Sequence, residues 1–266
     1  MSAKAHHTEM PFNARSYLDR IVYSGSTEPT AENLRAIHRA HMLAVPFENL
    51  DIHIGRPIVC DERRFLHKIV SERRGGFCYE LNGAFAALLR ELGYQVTLLS
   101  ARVTRADGSE SPELDHLTLR VDLPEPRSDT SWLADVGFGD SFIEPLLLLP
   151  NIEQRQIGRV YRLIESENRW HMEVMLDGNW KRKYSFALQP RQLSDFSAMC
   201  LYHQTSPESY FTRQKICSLA TCHGRLTLSD WNLIETHGEQ REERELDGEE
   251  QFRDALRELF HLNLPS

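Results

Sequence analysis

Residues 74–82 of the chain read Arg74-Gly75-Gly76-Phe77-Cys78-Tyr79-Glu80-Leu81-Asn82. The two glycines permit unusual backbone angles and lead directly into an apolar pattern of helical spacing that runs from about Phe77 to Leu92. Cys78 is therefore predicted in the first turn of a helix, beside the unpaired N–H groups of that turn. Because the positive end of a helix favours a thiolate, Cys78 is a candidate nucleophile. The alternative is a small buried cysteine with a packing role.

A cysteine nucleophile needs a base, and the base needs a group that orients it. His116 stands at the start of a predicted strand after a polar loop, and Asp135 interrupts an otherwise apolar strand sequence. A carboxylate in such surroundings is costly unless it is paired, and an imidazole N–H is its natural partner. Taken singly, His116 fits a sheet end and Asp135 fits a turn. Together with Cys78 they fit one catalytic arrangement.

The periodicity of the sequence changes near residue 94. Before that point, apolar residues recur at helical spacing in segments 30–45, 61–70 and 77–92. After it, short runs alternate apolar and polar residues between Asp-Gly, Pro or Asn, as in an antiparallel sheet or small barrel. Beyond Pro190 strands and helices mix, and the charged run 239–250 is predicted as a solvated turn and helix start. The pattern predicts an α+β fold.

Composition limits the classes of protein to consider. The 266 residues are 41% hydrophobic and 26% charged, as in globular proteins. No apolar stretch approaches the roughly 20 residues of a membrane-spanning helix, and residues 1–7 lack the layout of a secretory signal. The five cysteines, an odd number without regular spacing, fit free thiols in a reducing cytoplasm. A net charge of −8 argues against a sequence-independent nucleic-acid binder, and an anionic substrate would need a local basic patch.

These motifs resemble the arylamine N-acetyltransferases. The family's motifs occur here in the same order and with similar sequences: the segment 74–82, then His116, then Asp135-Val-Gly-Phe-Gly139. The upstream segment Val45-Pro-Phe-Glu-Asn-Leu50 also resembles that family. The resemblance continues through Tyr161–Leu163, Gln189-Pro190, Asp195-Phe196, Pro207–Phe211, Gly224–Leu228 and Leu246–Glu250. It implies a helical bundle over 1–93, a central antiparallel β-barrel over 94–190 and a C-terminal α/β lid over 191–266. The three parts would surround a cysteine-protease-like Cys-His-Asp core.

By this resemblance Cys78, His116 and Asp135 form the catalytic triad, acetyl-coenzyme A is the donor, and the acceptor is an arylamine, arylhydrazine or hydrazide. The residues suit that chemistry. Cys78 would take the acetyl group from one thioester into another, and the amine would then attack acetyl-Cys78 while His116 moves the proton and Asp135 holds the ring tautomer. The developing oxyanion is expected at the backbone N–H of Cys78.

The resemblance also implies contacts with the two substrates. Phe47 and Phe138 would line the acceptor pocket, with plain core packing as the alternative. Coenzyme A would contact Gly137, Gly139, Phe211, Thr212 and Thr227, although the two glycines also suit a tight turn. Glu48 and Arg74 are predicted to pair and to brace the helix of Cys78 rather than to bind substrate, because a buried charge is costly alone.

The sequence departs from the family pattern after residue 199. Cys200-Leu-Tyr-His203 stands where relatives usually have an Asn-aromatic-aromatic run, and Ser206 replaces the common histidine before a proline. The ligand contacts of the lid are therefore open. The spacing of Cys200, His203, Cys217, Cys222 and His223 lacks the paired short hooks of zinc modules, so no metal is predicted.

Three other functions fit parts of the pattern. A cysteine hydrolase or transglutaminase-like enzyme uses the same order of catalytic residues. A binding module would keep the fold without the chemistry, and a relative of the acetyltransferases could act as an acyltransferase or amide synthase on a biosynthetic intermediate. The expected partners are an acyl-CoA donor and a small amine or hydrazine acceptor, with no nucleic acid and no membrane. The sequence predicts no oligomeric state.

Overall fold

The computed structural model of the chain describes residues 13–124, 130–238 and 240–264. The N-terminal residues 1–7, discussed above for the absence of a secretory signal, lie outside these ranges. The helices are α1 (Ala14–Arg20), α2 (Ala31–Ala44), α3 (Leu50–His53), α4 (Glu62–Leu66), α5 (Cys78–Glu91), α6 (Ser197–Thr205), α7 (Tyr210–Arg213) and α8 (Gly248–Leu259), with a π-helical turn at His67–Ser71 and a 3-10 turn at Leu193–Phe196. Within the described ranges no helix combines the length and the apolar composition needed to cross a membrane.

The strands form two antiparallel sheets. They are β1 (Phe47–Glu48), β2 (Gln95–Val103), β3 (His116–Asp122), β4 (Ser131–Ala134), β5 (Leu146–Leu147), β6 (Gln154–Gln156), β7 (Arg159–Ser166), β8 (Arg169–Leu176), β9 (Asn179–Arg191), β10 (Ile216–Ala220), β11 (Gly224–Ser229), β12 (Asn232–His237) and β13 (Gln240–Glu245). In the described chain the larger sheet has the order β5-β4-β3-β2-β9-β8-β7-β6, and the smaller has the order β1-β10-β11-β12-β13.

The two edges of the larger sheet meet through one side chain. Gln154 on β6 accepts a hydrogen bond from the Leu147 N–H of β5 at 2.7 Å and donates to the Leu147 carbonyl at 3.0 Å. The sheet is thus a nearly closed barrel, with its own core around Leu99, Phe142 and Tyr184. The predicted α+β class, with helices and an antiparallel barrel, is confirmed.

Helix α5 lies in the largest hydrophobic core and is buried from Cys78 to Leu89. Its residues are apolar or small on nearly every side, as expected of a helix surrounded by protein. It packs against α1, α4, β2 and β3. The first residue of α5, the candidate nucleophile, is therefore held between the helical segment and the barrel.

The smaller sheet connects the N-terminal helical segment to the C-terminal part of the chain. Strand β1 pairs with β10, so that Phe47 lies opposite Ser218 and Glu48 opposite Cys217. Helix α8 and strands β10 to β12 share a separate core that includes Leu228 and Phe252. The division of the chain after residues 93 and 190 stays a prediction.

Two local predictions were wrong. The charged run 239–250 does reach the start of α8, but Gln240–Glu245 forms β13, an exposed edge strand whose charged side chains disfavour pairing with another chain. Its residue 239 lies outside the described ranges. Asp135 does not lie inside a strand, because β4 ends at Ala134 and the chain then turns.

Candidate active site

Close approach, rather than unusual backbone angles, explains the glycine pair before α5. Neither Gly75 nor Gly76 has a positive φ. A Cβ on Gly75 would lie 2.0 Å from the Pro46 carbonyl oxygen, and a Cβ on Gly76 would lie 2.7 Å from the Cβ of Glu80. The expected conformational role of these glycines was therefore wrong. They let the segment after Pro46 pass directly beside the start of the helix that carries Cys78.

A buried group of charges fixes this helix start. Glu80 Oε2 accepts the N–H of Phe77 at 3.1 Å, and Glu80 Oε1 lies 2.9 Å from Lys68 Nζ. Burial raises the pKa of Glu80 to about 7, and Lys68 opposes that shift. Glu80 thus satisfies an N–H at the helix N-terminus and is itself paired with a lysine.

The predicted pair of Glu48 and Arg74 is confirmed. Arg74 Nη2 lies 2.7 Å from Glu48 Oε1 and 3.0 Å from Asp51 Oδ1, and Lys68 Nζ lies 2.9 Å from Asp51 Oδ2. Burial alone would raise the pKa of Glu48, but the charges of Lys68 and Arg74 outweigh it and leave this pKa below its ordinary value. Lys68, Asp51 and Glu80 were not identified from the sequence. Their distances from one another along the chain give no local signal.

His116 and Asp135 meet at the end of the barrel that faces α5. His116 is the first residue of β3, and its Nε2 lies 2.7 Å from Asp135 Oδ2. The side chain of His116 is 3% exposed and that of Asp135 is fully buried. Burial raises the pKa of Asp135, but His116, Asn82 and the N–H of Gly137 outweigh that effect, so this pKa is lowered and the carboxylate is ionised.

Asn82 links the helix to β3 and to the turn that follows β4. Its Nδ2 donates to the Leu117 carbonyl at 2.6 Å and to Asp135 Oδ1 at 2.9 Å, and its Oδ1 accepts the N–H of Val136 at 3.0 Å. The residue lies four positions after Cys78 on α5, and therefore on the same helix face. Asn82 belongs to the motif that opened the sequence analysis, but its role was not recognised there.

The thiol of Cys78 lies in the same buried site. Burial raises the pKa of Cys78 well above its ordinary range, while hydrogen bonds from the backbone N–H groups of Leu117 and Tyr79 act in the opposite direction. A Cβ on Gly137 would lie only 2.8 Å from the Cα of Cys78, so the chain after Asp135 passes directly over the cysteine. The fold thus brings together the three residues predicted as a triad.

The predicted acceptor residues lie beside this site. The ring of Phe138 packs edge-on against that of His116, with 5.2 Å between centroids, and the ring of Phe47 lies 6.1 Å from that of Phe211. Gly139, the residue after Phe138, contacts the ring of Phe47, since a Cβ at this position would lie 3.3 Å from that ring. Its φ of +82° also favours glycine. Phe47 is buried, whereas Phe138 is half-buried. The predicted coenzyme A residues Gly137, Gly139 and Phe211 therefore adjoin the aromatic side chains.

The two threonines predicted to contact coenzyme A are less directly placed. The Thr227 hydroxyl on β11 lies 3.1 Å from that of Ser218, which is 3.3 Å from the Gly139 carbonyl. The Thr212 hydroxyl donates to the Ser206 and Ser209 carbonyls at 2.7 and 2.9 Å, so its proton is used within the segment between α6 and α7.

The segment that departs from the family pattern also reaches the site. His203 Nε2 lies 3.3 Å from Asp115 Oδ1, and the ring packs edge-on against Phe211 at 5.1 Å. Cys200 and Cys217 are buried and Cys222 is exposed. Among the described residues, no group of three or more His, Cys, Asp or Glu side chains could hold a metal ion.

Comparison with known proteins defines the class. A family model described as N-acetyltransferase matches residues 30–266. The pineal gland arylamine N-acetyltransferase isozyme NAT-3 of Gallus gallus is 34% identical over 276 residues, which cover 94% of this chain and 94% of that protein. The arylamine N-acetyltransferase of Mycolicibacterium smegmatis is 33% identical and covers 96% of this chain and 94% of its own length.

Solved structures of arylamine N-acetyltransferases also have the fold of this chain. The arylamine N-acetyltransferase from M. tuberculosis has a TM-score of 0.89 and 32% identity over 94% of both chains. The Mycobacterium marinum arylamine N-acetyltransferase in complex with CoA has a TM-score of 0.88 and 31% identity over 94% of this chain and 93% of that one. The chain therefore belongs to the arylamine N-acetyltransferase family, a family of acyltransferases.

Proposed function

We propose that this protein transfers an acetyl group from acetyl-coenzyme A to an arylamine, arylhydrazine or hydrazide through an acetyl-Cys78 intermediate. The observation that carries the proposal is the buried arrangement of Cys78, His116 and Asp135 at the junction of α5 and the barrel. The names of the relatives, and the CoA complex of one of them, support the choice of donor and acceptor. An acetyl group transferred in two steps gives ping-pong kinetics.

In the first step His116 acts as the base. Because its Nε2–H is held by the ionised Asp135, Nδ1 is the nitrogen with a free lone pair, and it accepts the proton of the Cys78 thiol. The thiolate forms a bond to the carbonyl carbon of the donor. The carbon–sulphur bond to coenzyme A then breaks, and the leaving thiolate takes the proton back from His116.

In the second step the acceptor amine attacks the carbonyl carbon of acetyl-Cys78. His116 accepts a proton from the amine as the new carbon–nitrogen bond forms, and the Cys78 thiolate leaves. Arylamines and hydrazides are weak bases, so they are mostly unprotonated at neutral pH and can act as nucleophiles. The backbone N–H of Cys78, which has no acceptor inside the helix, is assigned to the oxyanion in both steps.

The surroundings of the triad would hold the two substrates. Phe47 and Phe138 provide aromatic walls for a flat acceptor, and the donor is assigned to Gly137, Gly139, Phe211, Thr212 and Thr227. The helical segment 1–93 would supply the nucleophile, the barrel 94–190 would supply the base and its partner, and the segment 191–266 would cover them. The unpaired cysteines suit a reducing compartment such as the cytoplasm.

Intact-mass measurement after incubation with acetyl-coenzyme A alone tests the proposal. One added acetyl group is expected on the wild-type protein and none on Cys78→Ala, and later addition of an aniline should remove it as the acetanilide. Continuous release of coenzyme A without an acceptor would indicate a hydrolase instead, and no acetylation would indicate a binding module. A panel of acetyl-, propionyl- and malonyl-coenzyme A against anilines, hydrazides and aminophenols then defines both specificities.

A further inference from the structure

Three cationic side chains share one carboxylate beside the proposed active site. The carboxylate oxygens of Asp140 form ion pairs with Arg159 Nη1 at 2.5 Å, with Lys183 Nζ at 3.5 Å and with Arg225 Nε at 3.7 Å. These cations come from β7, β9 and β11, so the cluster joins the barrel to the smaller sheet. We call these four residues the cationic cluster.

The charges of the cationic cluster do not balance. In the described part of the chain, Asp140 is the carboxylate found in ion pairs with Arg159, Lys183 and Arg225, which leaves a local excess of two positive charges. Arg225 is only 12% exposed. Burial and the neighbouring Arg159 lower the pKa of Arg225, against the effect of Asp140. Cations held together in a partly buried group favour the binding of an anion, and this local excess occurs in a protein of net charge −8.

The cluster borders an open cleft between the barrel and the smaller sheet. Its walls include Ser141, Arg159, Tyr161, Thr221, His223 and Arg225, and no Asp or Glu is found among the described residues that line it. Arginine suits phosphate, because its planar guanidinium can donate two parallel hydrogen bonds to phosphate oxygens. The cleft therefore offers donors, positive charge and access from solvent.

The position of the cluster favours the donor over the acceptor as its ligand. Asp140 follows Gly137 by three residues, so it lies within about 11 Å of the glycine that packs on Cys78. Arg225 Nη1 also donates to the Ser218 hydroxyl at 3.1 Å, which is hydrogen-bonded to Thr227. The arylamine and hydrazide acceptors proposed above carry no phosphate for the guanidinium groups to bind. The long pantetheine arm of coenzyme A separates its sulphur from its phosphates and can span this distance.

We propose that Arg159, Lys183 and Arg225 bind a phosphate group of the acyl-coenzyme A donor. The inference rests on the proposed function, since it names the part of that donor which the cluster recognises. Asp140 holds the three side chains together, and two of them, Arg159 and Arg225, line the cleft. The cluster thus supplies the local basic patch that an anionic donor requires on an acidic protein.

Acetyl donors with and without phosphate groups distinguish phosphate binding by the cationic cluster from a purely structural role. Kinetics with acetyl-coenzyme A and with the phosphate-free S-acetyl-pantetheine are compared in the wild type, Arg225→Gln and Lys183→Gln. The variants should raise the KM for acetyl-coenzyme A at least 10-fold for Arg225→Gln and several-fold for Lys183→Gln, with kcat and the reaction of the phosphate-free donor nearly unchanged. Arg241→Gln, which removes an equal charge from the exposed strand β13, is the control and should change neither. Equal losses with both donors, or no loss with acetyl-coenzyme A, would overturn the proposal.

Binding measured without turnover separates failure of this inference from failure of the proposed function. Isothermal titration of the wild type should give tighter binding of coenzyme A than of pantetheine, and Arg225→Gln should abolish that preference. If the wild type shows the preference but transfers no acetyl group, the phosphate site stands and the proposed chemistry fails. If acetyl transfer occurs but the variants keep the preference, the cluster is not the phosphate site.

Discussion

Asn82 Nδ2 donates a 2.9 Å hydrogen bond to Asp135 Oδ1, on the opposite side of the carboxylate from His116. Both oxygens of Asp135 are therefore held, one by the imidazole and the other by Asn82 and the N–H of Gly137. Since Asn82 lies on the same helix as Cys78, the helix that supplies the candidate nucleophile also orients the group that holds the candidate base.

Asn82→Ala should impair activity more than its distance from the substrates suggests. The substitution removes the Asn82 partner of the Leu117 carbonyl and of the Val136 N–H, each at a cost of about 1–3 kcal/mol, and leaves Asp135 Oδ1 with the N–H of Gly137 alone. We expect kcat/KM for acetyl transfer to fall at least 10-fold and the free energy of unfolding in urea to fall by about 3 kcal/mol. Asn179→Ala, whose side chain bonds only a turn carbonyl at the surface, is the control. Unchanged activity in Asn82→Ala would show that Asp135 is held without it.

His116→Gln should make Cys78 less reactive than an ordinary thiol. Burial raises the pKa of Cys78, and the two backbone N–H groups do not offset it, so any low-pH reactivity must come from an imidazolium beside the sulphur. Because the proposed mechanism moves the thiol proton to His116, iodoacetamide should alkylate the wild type well below the pKa of a free thiol. In His116→Gln the midpoint of the rate against pH should move above about 8.5. A midpoint that is the same in both proteins would argue against an ion pair between Cys78 and His116.

The sequence was informative where the signal is local. Cys78 follows a glycine pair and opens an apolar helical pattern, and His116 stands at a strand start, so residue type and order single out these two candidates. Asp135 was selected as a carboxylate inside an apolar strand, but it lies in the turn after β4. Strand β13 was missed because all its residues are exposed and charged or polar, which removes the alternation that marks a strand. Lys68 and Asp51 were missed because their partners lie far away along the chain, and only packing brings them together.

The pair of Lys68 and Glu80 should show strong energetic coupling. Lys68→Met leaves three buried carboxylates with one fewer cation and should cost about 3–5 kcal/mol of unfolding free energy. Glu80→Gln should cost less, because the amide oxygen can still accept the N–H of Phe77. The double variant should be more stable than the sum of the single effects predicts, as a double-mutant cycle in urea can measure. Strict additivity would mean that the two side chains do not stabilise each other.

His38 should make the protein less stable in acid. Its Nε2 accepts the N–H of Asp135 at 3.2 Å, so Nδ1 carries the proton that is donated to the Ile143 carbonyl at 2.8 Å. Burial lowers the pKa of His38 to about 4, whereas an unfolded histidine has a pKa near 6.5. Below pH 6.5 His38 is therefore protonated in the unfolded chain but stays neutral in the folded protein, and the free energy of unfolding decreases as the pH falls toward 4.

The contribution of this one histidine is about 3 kcal/mol at pH 4, from roughly 2.5 pKa units at 1.36 kcal/mol each. His38→Gln can keep both hydrogen bonds, since the amide oxygen replaces Nε2 as acceptor and the amide nitrogen replaces Nδ1 as donor. Urea unfolding at a series of pH values between 7 and 4 should therefore give a shallower loss of stability in His38→Gln than in the wild type. His237→Gln, at an exposed position, is the matched control and should leave the slope unchanged.

Glu80 has the opposite pH dependence. Its pKa is raised in the folded protein, so it makes the protein less stable as the pH rises from the pKa of an unfolded glutamate toward 7. This effect is the same in the wild type and in His38→Gln, and it cancels when their slopes are compared. Identical slopes in the wild type and His38→Gln would mean that His38 takes up its proton equally well in the folded protein.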